Sequence, residues 1–158
     1  KKMQLKNYRK GPVGVLADLY LMEIEKIKFL MDRLHDEYFL LEINPNSESD
    51  FQSVRNIMTH VIRSGYSYAN QIRKRFGENY FIPTISINHV GEVNELLDQM
   101  YRYTLEALEN KWHLNDYELG DIIIKTGWGI CDMEGLLEHA VMHIMRHHFQ
   151  ILKLEGRS

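Results

Sequence analysis

Apolar positions recur at three- and four-residue intervals along most of the chain, in four long stretches separated by polar, glycine- or proline-marked breaks. From Val13 to Leu41 the residues Leu16, Tyr20, Ile27, Leu30, Leu34, Tyr38 and Leu41 keep helical spacing, and Glu23 falls on the same stripe. The segment Asn44-Pro45-Asn46-Ser47-Glu48-Ser49-Asp50 reads as a loop ending in a helix N-cap. A second helix is predicted from Phe51 to Phe76, with Phe51, Val54, Ile57, Met58, Val61, Ile62, Gly65, Ala69 and Ile72 on one side. Gly77 and Pro83 bracket the next connection. A third helix, about His89 to Trp112, carries Val90, Val93, Leu97, Tyr101, Leu105 and Leu108 at the same period. His113 to Cys131 reads as irregular, with the short apolar run Ile122-Ile123-Ile124 followed by Gly127-Trp128-Gly129. Asp132 then caps a last helix that runs to about Leu154.

Four such helices, each of roughly 22 to 29 residues, predict an all-α fold: a four-helix bundle occupying residues 1–158 as a single domain. The connection between the third and fourth helices is long for a simple bundle, which makes it a candidate lid. Neither an internal repeat nor a low-complexity tract interrupts the pattern.

Composition narrows the classes. A chain of 158 residues suits one core, and a formal charge of −3 offers no clustered basic face for nucleic acid. The single cysteine, Cys131, excludes an internal disulfide and fits a reducing cytosol. No apolar run approaches the roughly 20 residues that span a bilayer, and no secretory pattern opens the chain. A soluble, cytoplasmic protein is the expectation. The first residue is Lys1, so an N-terminal piece is expected to be missing.

The candidate chemistry sits in the last helix. Eight histidines in 158 residues is a high count, and it is concentrated where His139, His143 and His147 recur every fourth residue. On a helix this spacing stacks imidazoles on one face, where neighbours can share a divalent metal. With His139 at the origin of a helical wheel, His143 falls at about 40° and His147 at about 80°, toward the apolar arc of Leu136, Ala140, Ile144 and Ile151. Two inward imidazoles need hydrogen bonds or a metal to offset their burial. A third nitrogen has to come from another helix, and His60 is the best candidate because it lies mid-way along the second. Its wheel position is about 60° off that helix's apolar arc, among Ser53, Ser64 and Gln71, which suits a water-filled cleft and an exposed histidine equally.

The string His139-x₃-His143-x₃-His147-His148-Phe149-Gln150-Ile151, after a Trp-Gly loop and with His60 mid-helix upstream, resembles the DinB-like superfamily. These are damage-inducible-type four-helix bundles, related to YfiT-type metal-dependent hydrolases and to thiol-dependent S-transferases. The resemblance covers the whole chain in helix order and loop placement, and its specific match lies in the last helix. In that superfamily one histidine of the second helix and two of the fourth hold a divalent metal, the later one standing three residues before Gln-Ile. Carried over, this implies His60, His143 and His147 as ligands and His139 as a companion. Nickel or zinc is the implied metal, and manganese and iron are also accepted by such ligand sets. The chain departs from the pattern where His148-Phe149 stands in place of the usual Arg-Gly, which puts close backbone packing at that point in doubt. His148 projects near 180°, toward Leu137 and Val141, as a partly buried or interface histidine.

Other residues carry less. Cys131 beside the last helix could be a dipole-stabilised nucleophile, although an inert small side chain is favoured. Trp128 between two glycines either lines the site or plugs the end of the bundle. Glu23 reads as a snorkelling surface glutamate before a general base. Gln150 is placed to orient a ligand. The apolar arc of the last helix, through Val141, His148 and Leu152, is wider than one bundle face needs and hints at a homodimer.

HExxH chemistry is excluded, because His143-Ile144-Met145-Arg146-His147 lacks the glutamate. Di-iron carboxylate sites need Glu-x-x-His, which no histidine here provides. A hemerythrin-like carrier needs more inward carboxylates than the pattern places. Two classes stay open. One is a metal-dependent enzyme resembling the superfamily's S-transferases, which add a low-molecular-weight thiol of the bacillithiol type to an electrophilic small-molecule substrate, or a related hydrolase. The other is a non-catalytic metal- or small-molecule-binding bundle. Substrate contacts from Asn115, Asp116, Tyr117, Asp121 and Lys125 would separate them.

Overall fold

A computed structural model describes residues 10–156. Lys1, on which the expectation of a missing N-terminal piece rests, lies outside the described residues. The chain is mostly helical. In order, α1 is Gly11–Met31, α2 Asp36–Leu40, α3 Val54–Arg75, α4 Val93–Ala107, α5 Asp116–Asp121 and α6 Met133–Leu154, with a two-stranded antiparallel hairpin, β1 Ile123–Thr126 and β2 Gly129–Asp132, between α5 and α6. Single 3₁₀ turns at Ser49–Phe51 and Val90–Glu92 lead into α3 and α4. No described helix is long and apolar enough to cross a membrane.

The four long helices close a ring. α1 packs on α6 and α4, and α3 packs on α4 and α6. The periodic apolar positions fill the space between them in one cluster, in which Ile24, Ile27, Ile57, Met58, Ile62, Leu97, Met100, Leu136 and Ile144 are almost completely buried. Each such side chain stabilises the fold by about 1.5–3 kcal/mol relative to leaving it in water.

Several boundaries differ from the periodic reading, each for a local reason. The first helix stops at Met31 instead of continuing to Leu41, and α2 restarts after His35, whose extended backbone forms its N-cap with Asp36 and Glu37 in the first turn. Asp36 accepts a hydrogen bond from the Val90 amide at 2.7 Å, which ties α2 to the start of α4. The cap of α3 is Ser53, accepting from the Asn56 amide at 3.1 Å, so the helix starts at Val54 and Asp50 is not used as a cap. The third predicted helix is trimmed at both ends, beginning at Val93 and ending at Ala107. Asp132 does cap α6, accepting from the Gly135 amide at 2.7 Å, as the sequence predicts.

The stretch His113–Cys131 is not irregular. Asn115 and Glu118 form a reciprocal capping box that starts α5, and the apolar run then enters β1, where Ile124 is buried and Ile123 exposed. Gly127 and Trp128 make the two-residue turn between the strands.

One glycine has a packing reason. Gly65 lies where α1, α3 and α4 meet, and a Cβ there would stand 2.0 Å from Met100 Sδ and 2.9 Å from the Tyr20 hydroxyl. Tyr20 in turn reaches Met100 Sδ at 3.7 Å. Alanine normally favours a helix by about 1 kcal/mol over glycine, but overpacking a filled core costs about 1–3 kcal/mol. Gly65→Ala is therefore expected to lower unfolding free energy by about 1 kcal/mol in a urea titration. A stabilised variant would show that Met100 moves aside freely.

Candidate metal centre

The second and last helices bring three imidazoles together. His143 and His147 are one turn apart on α6, and His60 faces them from the second turn of α3. His60 Nε2 lies 3.0 Å from His143 Nε2, and His147 Nε2 lies 3.2 Å from the same atom. One ligand atom from each of the three falls within 4.8 Å of the others, so the group is placed to hold a metal ion. The wheel positions drawn from sequence agree for the α6 pair, and His147 is almost completely buried. His60 sits nearer the start of its helix than the mid-point that the longer predicted helix implies.

The outer nitrogens fix which tautomer each ring presents. His60 Nδ1 is 3.1 Å from Asp50 Oδ2, and a carboxylate only accepts, so Nδ1–H donates and Nε2 keeps its lone pair. His147 Nδ1 is 2.8 Å from Gln150 Oε1, with the same result. Two lone pairs thus converge on His143 Nε2. If that nitrogen carries a proton it can satisfy one neighbour well; if it does not, three lone pairs face one another. Protonating His143 fully does not help, because it still has a single Nε2–H. Burial, with the neighbouring His147 and His60, pushes the His143 imidazole down to about 3, and burial also lowers His147. His143 and His147 are therefore neutral at physiological pH, the form in which imidazole binds metals.

The spacing fits as well as the charge. Two nitrogens each about 2.05 Å from one zinc-like ion are about 2.9 Å apart at a right angle and about 3.3 Å apart in a tetrahedron. The two distances to His143, 3.0 and 3.2 Å, lie between these limits, and the His60–His147 pair falls within 4.8 Å.

Aromatic rings hold the cluster in place. Phe51, in the 3₁₀ turn before α3, stacks on His147 with ring centroids 5.7 Å apart and meets His60 edge-on at 5.3 Å. On the other side Tyr68 meets His143 and His139 edge-on at 5.6 and 5.3 Å. Trp128, at the hairpin tip, stacks on His139 at 4.3 Å. Trp128 therefore stands beside the histidine line and not in the bundle interior, and His139 links it to His143 without joining the three converging nitrogens.

Sequence reasoning missed Asp50, Phe51 and Tyr68 as parts of the site. Asp50 also accepts from Arg63 at 2.9 Å. Its helix-start composition was visible, but which of Ser53 and Asp50 caps α3 decides whether Asp50 is left for His60.

Other candidates are placed elsewhere. Cys131 lies in β2, where burial and the Asp132 carboxylate push its thiol up, against use as a stabilised thiolate. Glu23 is buried and paired with Lys26, not snorkelling. His148 is half-buried near Glu23 and Lys26 of α1, and Val141 is buried, so α1 of the same chain covers much of the arc read as surplus. Phe149 is 56% exposed, so no backbone packs against it where the pattern has glycine. Of the loop residues, Asn115 is used in its capping box and Tyr117 is 88% exposed.

The chain was also compared with known proteins: neither family models nor curated protein sequences give a match.

If the Asp50 carboxylate orients His60 for a metal, Asp50→Ala should weaken zinc affinity by about tenfold to a hundredfold, measured by competition with a chromophoric chelator. Unchanged affinity would show that His60 needs no such partner.

Proposed function

We propose that this protein is a DinB-like four-helix bundle that holds one divalent metal, zinc or nickel, on His60, His143 and His147. In this reading it acts as a thiol S-transferase, joining a low-molecular-weight thiol to an electrophilic small molecule. The observation that carries the proposal is the convergence of three Nε2 atoms, two of them fixed as acceptors by Asp50 and Gln150. A divalent ion there would supply Lewis acidity and lower the pKa of a thiol or water that it binds.

The chain's own groups then have distinct tasks. His60, His143 and His147 supply the donor set, and three protein ligands leave coordination positions for a substrate. Asp50 and Gln150 hold the tautomers that direct both lone pairs inward. Phe51 and Tyr68 keep the rings from turning, and Trp128 forms an aromatic wall over His139. A cleft lined by His60 and Asp50 opens beside the cluster and is the approach this reading gives a small molecule.

A cytoplasmic homodimer belongs to the same proposal. Val15, Leu19 and Met22 on α1 and Met142 and Phe149 on α6 are exposed on two helices that pack together, an apolar face of the kind that marks association. A monomer by analytical ultracentrifugation would remove that part.

The activity is tested by following consumption of a cysteine-type thiol with chlorodinitrobenzene by zinc- or nickel-loaded protein. Turnover is expected to fall at least about a hundredfold in His143→Ala, on the scale of losing transition-state charge stabilisation, while far-ultraviolet circular dichroism is retained. Metal retention without turnover for any thiol–electrophile pair would replace the transferase with a non-catalytic metal-binding protein.

A further inference from the structure

The cleft that begins at His60 has chemistry that the histidine cluster does not use. Its volume is about 410 Å³. Along α3 one side of it is a single stripe in which His60 is followed by Ser64, Ser67, Gln71 and Lys74 at three- and four-residue steps, with Arg63 beside Ser64. The stripe covers about 21 Å of helix axis from position 60 to position 74. Ile82 and Pro83, from the connection after α3, supply more of the wall. That connection is pinned: the Asn70 side-chain amide donates to the Phe81 carbonyl at 2.8 Å and its oxygen accepts from the Tyr103 hydroxyl at 2.6 Å. Tyr66, Phe81 and Tyr103 pack as a ring cluster behind it.

The charges along the cleft do not balance. Arg63 and Asp50 form an ion pair, and Asp50 also accepts from His60. Lys74 is different. Its ammonium lies 4.6 Å over the Tyr80 ring, and among the described residues it has no carboxylate partner. One uncompensated cation is left at the end of the cleft away from the histidines, on a chain whose formal net charge is −3. Between the two ends the wall offers hydroxyl and amide groups, which an apolar ligand would leave without partners.

We propose that this cleft binds a small, elongated, polar, singly charged anion whose carboxylate sits at Lys74 and whose body lies along the α3 stripe toward the histidines. A carboxylate suits Lys74, the one cation of the cleft without a carboxylate partner among the described residues. A phosphate monoester would bring close to two negative charges to one ammonium. The inference names a substrate class for the site described above and rests on that reading for the His60 end. The Lys74 end stands on the cleft itself.

The test uses glutathione, a polar and singly charged anion at neutral pH, with zinc-loaded protein in a calorimetric titration. Lys74→Gln is expected to weaken binding about threefold to fivefold, a difference that shrinks in high salt. Glutathione amidated at its glycine carboxylate should bind the wild type as weakly as glutathione binds Lys74→Gln, and should not distinguish the two proteins. S-Methylglutathione, titrated into metal-free protein, separates the cleft from the metal. Binding that is weakened by Lys74→Gln supports this proposal whether or not the histidines retain zinc, whereas failure to retain zinc counts against the metal reading alone. No binding of any probe, or binding that neither Lys74→Gln nor amidation changes, overturns the proposal.

Discussion

Three imidazole nitrogens cannot share one point in space as neutral acceptors without a cation between them. Asp50 and Gln150 narrow the usual escape, in which neighbouring rings adopt complementary tautomers, by taking the Nδ1 protons of His60 and His147, so that one Nε2–H on His143 can serve only one of two acceptors well. Burial removes the other escape, a charged imidazolium, by holding His143 far below its ordinary range. The rest of the site follows from this constraint. The rings have to be held rigidly, and Phe51 and Tyr68 do so from opposite sides.

The scaffold makes that rigidity available. α3 carries His60 and packs on both α4 and α6, so the approach of α4 at Gly65 and the seating of α6 are coupled through one core. The face of α3 that bears His60 is polar, and its opposite face is among the most deeply buried in the molecule. A helix with this division can present a donor at the edge of a cleft without exposing core. The hairpin before α6 extends the same design, since its two-residue turn brings Trp128 onto His139.

Much of this was legible in the residues, and what was not has identifiable causes. The long helices follow from 3.6-residue periodicity sustained over many turns, and Asp132 from its place before an apolar run. The end of α1 was hidden because Leu34 and Tyr38 continue the period across a break that has neither glycine nor proline. β1 and β2 are hidden because four residues are too few for alternation to show, and α5 is passed over in a stretch that reads as irregular although Asn115 and Glu118 have capping-box spacing. His143 and His147 were fixed by spacing on one helix. His60 was weighed as a partner from another helix, which periodicity can suggest but cannot pair. Asp50 reads from sequence as a helix N-cap, and its pairing with His60 is hidden because it depends on Ser53 taking the cap three residues later.

The central claim is that the three histidines form a metal site, and metal content by mass spectrometry on tag-free protein tests it most directly. The account predicts about one zinc or nickel ion per chain in the wild type, as expected for a single closed set of ligands, and a sharp fall in His60→Ala. Metal-free wild type after reconstitution with both metals, or a His60→Ala variant that retains the full complement, would contradict it.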